Sequence, residues 1–116
     1  MKTRLLILFI ATVLLGTASH AQEDLDTNYK KADTRLNAVF QALQKLSGEH
    51  IYAENCRKAL REAQRAWVQF RDAEAELQVQ LADIGSPRGR EDERTRALIQ
   101  LTEKRIEELK RMLPAQ

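Results

Sequence analysis

The chain has 116 residues, 31% of them charged and 5% aromatic, with 19 Lys and Arg against 17 Asp and Glu. Lys2 and Arg4 lie before Gln22 and no acid does, so from Gln22 onward 17 bases face 17 acids. That neutral, interspersed balance excludes the basic footprint of a nucleic-acid binder and the aromatic platform of a single-strand binder.

The N-terminus reads as an export signal. Lys2 and Arg4 make a basic start, Leu5 to Leu15 an apolar run, and Ser19-His20-Ala21 a small-x-small cleavage site. The rival reading is a retained anchor, but the run is shorter than the roughly 20 apolar residues that cross a bilayer. No cysteine follows it for lipid attachment. The expectation is therefore a signal peptide over 1–21 and one helical domain over 22–116, periplasmic or secreted from a bacterium, with no membrane contact after cleavage. Its remaining length suits a single modest core.

Leu25, Tyr29, Ala32, Leu36, Val39, Leu43 and Leu46 alternate by four and three, which predicts one apolar stripe on a first helix over about 26–46. Asp24 or Asp26 can cap its start, and Ser47-Gly48 supplies a left-handed end and a turn. A second stripe takes in Tyr52, Cys56, Leu60 (or Ala59), Ala63, Trp67, Phe70, Leu77, Leu81 and Ile84, interrupted at Ala73 and Glu74. It predicts a long helix over about 51–83. At 1.5 Å per residue this helix reaches roughly 50 Å, so part of it protrudes, bends or packs on another chain, which leaves a homodimer open. Gly85-Ser86-Pro87-Arg88-Gly89 ends it.

A third helix is expected over about 90–113. Glu91, Asp92 and Glu93 would put negative charge in its first turn, Lys110 and Arg111 positive charge at its end, and Pro114 closes it. Its stripe is Leu98, Leu101, Ile106, Leu109 and Leu113, with Met112 beside it. The fold class is all-α: an antiparallel three-helix bundle, or a long helical hairpin with a third packed helix.

Within the second helix, Ala63-Gln64-Arg65-Ala66-Trp67-Val68-Gln69-Phe70-Arg71-Asp72-Ala73-Glu74 resembles the signature of LprI-type, lysozyme-inhibitor-like secreted proteins. Upstream, Ala32-Asp33-Thr34-Arg35-Leu36-Asn37 is similar to that family's Asp-x-x-Leu-Asn segment. Downstream, Gly85-Ser86 and Leu101 to Leu109 resemble its glycine-serine turn and closing helix. The resemblance covers roughly Asp26 to Leu113. It implies a non-catalytic binding protein of the cell envelope whose partner is a lysozyme. One departure stands out: family members commonly carry a cysteine after the Arg-Asp-x-Glu element, and this chain has Ala75 there.

The signature residues Asp33, Leu36, Asn37, Gln64, Trp67, Arg71 and Asp72 read as structural. Trp67 would anchor helix packing, and Arg71, four positions on, could lie against its ring or pair with a carboxylate such as Asp33, leaving Asp72 to pair outward. Asn37 would cap or crosslink helices. Direct contact with a partner is the alternative for this polar set. The lone Cys56 is open to three readings: a buried small hydrophobe, an interchain disulfide, or a reactive thiol.

Catalytic readings find little support. His50 is the sole histidine after residue 21, no His/Cys/Asp cluster has metal-ligand spacing, and Cys56 has no base beside it. Glu74 and Glu76, two apart, point in different directions on a helix. No cofactor is expected. If the chain inhibits a muramidase, the candidate contact is the exposed segment with Ser86, Arg88 and Arg90, whose guanidinium groups can pair with the two carboxyl groups of a glycosidase cleft. A neutral chain lacks the acidic field that would speed encounter with a basic lysozyme. The second class of function is an envelope adaptor working through helix contacts.

Overall fold

A computed structural model describes residues 17–115, with side chains described over 24–115. The basic start and apolar run of the expected signal peptide lie outside the described residues. Three helices follow in order: α1 (Thr17–Gly48), α2 (Ala53–Leu81) and α3 (Pro87–Lys110). Among the described residues there is no strand, and no helix is long and apolar enough to cross a membrane.

The expected stripe of α1 faces inward along its whole length. Ala32, Leu36 and Leu43 are buried, and Leu25, Tyr29, Val39 and Leu46 half-buried. Leu36 and Leu43 meet Ile106 and Leu109 of α3 in the main core, with Val39, Leu46, Leu60, Trp67 and Leu113 packed around them. Burying each such side chain stabilises the fold by about 1.5–3 kcal/mol. Toward the other end the buried residues are smaller, namely Ala32, Ala75, Val79, Ala97 and Thr95. Ion pairs fix the directions: Arg35 of α1 reaches Glu103 of α3 at 3.3 Å, and Arg94 of α3 reaches Glu76 of α2 at 2.6 Å. The helices therefore run up, down and up, with α1 and α3 parallel.

Helix ends depart from the expectation in four places. The helix α1 begins upstream of Asp24 and Asp26, so neither caps it. No glycine among the described residues has positive φ, so Gly48 closes α1 without a left-handed turn, and Glu49 and His50 donate to the Leu46 and Ser47 carbonyls instead. The left-handed residue is Asp83 (φ 53°), which ends α2 two positions before Gly85. Finally, α3 starts at Pro87 rather than near Arg90, because Ser86 is an N-cap and Pro87, with no N–H to lose, suits the first turn. Glu91, Asp92 and Glu93 consequently fall beyond the first turn, which holds no acid.

The largest correction concerns α2, whose expected stripe divides between two faces. Leu60 and Trp67 face inward, joined by Gln64, Arg71, Ala75 and Val79. Tyr52, Ala63, Phe70, Leu77 and Leu81 face out, with Phe70 55%, Leu77 50% and Leu81 75% exposed. The two rows interleave through Leu60, Ala63, Trp67 and Phe70, which face in, out, in and out. From Trp67 a helix of 100° per residue carries Arg71 back inward and Phe70 away from it.

Candidate functional site

The signature of α2 converges on Trp67. The Arg71 guanidinium lies 5.2 Å from the Trp67 ring centroid and 5.9 Å from the Tyr29 ring of α1. Arg105 of α3 approaches the same indole at 5.9 Å. Trp67 thus takes cations from two helices, contacts worth roughly 0.5–2 kcal/mol each according to their desolvation. Arg71 is only 8% exposed, and a buried cation needs a counter-charge. Its Nε donates to Asp72 Oδ1 at 2.9 Å, while Asp72 itself remains exposed. The pairing is therefore with the adjacent residue and not with Asp33, which is half-buried on α1.

Gln64 holds the second cation, accepting from Arg105 Nε at 3.2 Å, and Glu108 accepts from Arg105 Nη1 at 3.3 Å. The structure brings Gln64, Trp67, Arg71 and Asp72 into one cluster spanning all three helices. Leu36 belongs to the neighbouring apolar core, and Asn37 is exposed on α1. Arg105 and the role of Tyr29 were not singled out from the sequence. A signal for Arg105 exists, because Leu98, Thr102, Arg105 and Leu109 recur at four, three and four and all face inward.

The tip between α2 and α3 is built differently. The Ser86 Oγ accepts from the Gly89 N–H at 3.1 Å, and the Ser86 carbonyl accepts from the Arg90 N–H at 3.0 Å. Gly89 is required: a Cβ there would sit 2.7 Å from both Ile84 Cγ2 and Ser86 Oγ. The half-buried Ile84 folds onto that gap. Left-handed Asp83, the cap, the proline and this close approach together make the tip a defined turn.

On this turn Arg88 is exposed and Arg90 half-buried, and among the described residues neither pairs with a carboxylate within 4.0 Å. Two cations in the first turn oppose the helix macrodipole, which favours acids there. Exposed Arg88 is open to a carboxylate, with Asp83 before it and Glu91, Asp92 and Glu93 after it in the chain. Just below it, hydrogen bonds from Arg94, then from Gln80, hold the Glu76 carboxyl below its ordinary pKa, and Arg94 is correspondingly raised.

Nothing in either place assembles a reaction centre. Among the described residues no three His, Cys, Asp or Glu side chains come together to hold a metal, and Cys56 is a half-buried free thiol.

The family model described as "Lysozyme inhibitor LprI" matches residues 16–109, which includes the cluster around Trp67 and the α2–α3 tip. No curated protein and no solved structure matches the chain.

Proposed function

The chain belongs to the LprI lysozyme-inhibitor family, and from that premise we propose that it is a non-catalytic inhibitor that inserts the α2–α3 tip into the cleft of a muramidase. It acts in the periplasm or outside the cell, after removal of residues 1–21 at the Ser19-His20-Ala21 site. The observation that carries the reading is the internally braced tip that holds Arg88 exposed. Arg88 and Arg90 stand where a helix ordinarily carries acids; Arg90 is near enough to Glu76 to help lower its pKa, whereas Arg88 has no such carboxylate among the described residues, and a local rule broken without compensation marks a working site.

A glycosidase cleft offers two carboxyl groups flanking the scissile bond. Exposed Arg88 can pair with one of them in a bidentate, charge-assisted contact, and Arg90 adds a second positive charge in the same first turn. The brace lowers the ordering cost of binding, since Ser86, Pro87 and Gly89 already fix the backbone. Ser86 serves as the cap and supports the arginines rather than meeting the partner with its hydroxyl. The Trp67 cluster is the frame that holds α2 and α3 in the register the tip requires.

The test is muramidase activity on peptidoglycan with rising amounts of the purified protein, across several lysozyme types. Stoichiometric inhibition of at least one type is expected, with Arg88→Ala plus Arg90→Ala weakening it about 100-fold while helical content stays unchanged. Inhibition of none, or full inhibition by the double variant, sinks the reading.

A further inference from the structure

In the proposed function, cleavage after Ala21 makes Gln22 the first residue of the exported chain. The cut falls inside α1, which is helical from Thr17 to Gly48 and so spans both sides of it. Before the cut, the first turn of α1 holds no acid. After it, Glu23 and Asp24 stand in the first turn and Asp26 directly follows, where the macrodipole favours negative charge. One group is out of place in this new helix start: the α-ammonium that cleavage creates, a cation at the positive end of the dipole.

We propose, on the premise that export removes residues 1–21, that Gln22 is a modification site: its α-amino group closes on its own side chain to give an N-terminal pyroglutamyl residue. The neutral amine attacks Cδ of the side-chain amide and forms the N–Cδ bond of a five-membered lactam. The Cδ–Nε2 bond breaks, and Nε2 leaves as ammonia with the proton that the amine gives up. No oxidant, reductant or second molecule is consumed. An α-amino group titrates at about pH 8, so a share of it is neutral and nucleophilic at physiological pH. The helix does not hold the amine back, since the first N–H groups of a helix have no intrahelical acceptor.

The parallel packing of α1 and α3 fixes where this chemistry happens. Arg35 of α1 pairs with Glu103 of α3, and Gln22 precedes Arg35 by as many residues as Arg90 precedes Glu103. At equal rise per residue the new N-terminus stands level with Arg90, at the tip end of the bundle. Cyclisation therefore removes a titrating cation from the end that carries Arg88 and Arg90 and leaves the charge there to side chains alone. It also closes the chain to aminopeptidases, which need a free amine. A cut one residue earlier would leave Ala21 first, with no amide to close on.

The experiment is intact-mass spectrometry of the full chain after export by a bacterium, with Gln22→Ala exported alongside. The expected mass is that of residues 22–116 less about 17 Da, the ammonia lost. Stepwise N-terminal degradation should stall on this protein and proceed on Gln22→Ala. Thermal midpoints supply a second readout, because only the variant keeps an ammonium at the start of α1. Raising the pH from 6 to 9 neutralises that ammonium and should raise the midpoint of Gln22→Ala by about 2 °C relative to the unsubstituted protein. A mature chain whose Gln22 keeps its amine through prolonged incubation at pH 8, or a variant whose pH dependence matches that of the unsubstituted protein, overturns the proposal. A chain that still carries residues 1–21, or begins at another residue, overturns it as well, and does so by removing the cleavage at Ala21, which the other two results leave standing.

Discussion

The two faces of α2 reverse the usual relation between polarity and burial. The inward face presents Gln64, Arg71 and Gln78 among Leu60, Trp67, Ala75 and Val79, and the outward face presents Phe70, Leu77 and Leu81 among alanines. Two of these polar groups, Arg71 and Gln64, are seated there by partners. Arg71 has Asp72 and two aromatic rings, and Gln64 has Arg105. The lesson is that hydropathy alone does not choose which side of a helix goes in. Partner groups on α1 and α3 choose it, and the apolar side is left exposed.

The comparison breaks most sharply at two aromatic residues three positions apart. Trp67→Ala removes the ring that gathers Arg71, Arg105 and the edge of the Leu36–Leu109 core, so it should cost about 3 kcal/mol or more. Phe70→Ala removes a ring 55% exposed, so in dilute solution it should change stability by less than about 0.5 kcal/mol. Urea midpoints at low protein concentration measure both. Equal losses would mean that Phe70 is held by the bundle and that the two faces do not differ in role.

How much of this was legible in the sequence follows from the same helix. The α1 stripe was readable because one row of Leu, Val and Ala faces one partner side throughout, and the α3 stripe from Leu98 to Leu113 was readable for the same reason. The α2 stripe was not, because two apolar rows share the helix and the stronger one by hydropathy faces out. Trp67 and Arg71 could be paired by their spacing of four. Arg105 was legible only through its recurrence with Leu98, Thr102 and Leu109, because by residue type an arginine beside Ile106 looks like solvated surface. The start of α3 was expected three residues late because Gly-Ser-Pro-Arg-Gly contains two glycines, whereas Ser86 before Pro87 is also a cap before a first turn.

If partners are what make the polar interior tolerable, a polar interior group without one should be a net liability. Thr102 of α3 is such a group, fully buried with no hydrogen-bond partner for Oγ1. Thr95, by contrast, returns its hydroxyl to the Glu91 carbonyl at 3.0 Å. Thr102→Val replaces an unsatisfied hydroxyl with a methyl of similar shape, so it should raise stability by about 1 kcal/mol. Thr95→Val should not, because it gives up a hydrogen bond that exists. Thermal midpoints of the two variants decide the matter, and a destabilised Thr102→Val would show that the Thr102 hydroxyl is satisfied in solution.

The smallest effect belongs to the edge where the two faces of α2 meet the solvent. Glu76 there accepts Arg94 Nε and Nη2 from α3, at 3.2 and 2.6 Å, and Gln80 adds a third hydrogen bond at 2.8 Å. These bonds favour the charged carboxylate and lower its pKa below the ordinary 4.5, chiefly through Arg94. A depressed folded-state value means that the unfolded chain binds a proton first as pH falls, so the clamp contributes fully above about pH 4.5 and fades as pH drops through the folded value. Since Glu76 is exposed and Arg94 only half-buried, solvent and salt weaken the pair, and the contribution should be modest. Urea midpoints compared between pH 6 and pH 3 should fall somewhat further for the unsubstituted protein than for Glu76→Gln, and the gap should narrow at high salt. Identical slopes would remove the α2–α3 clamp from the forces that seat the tip and leave that work to Trp67, Arg105 and the core beneath them.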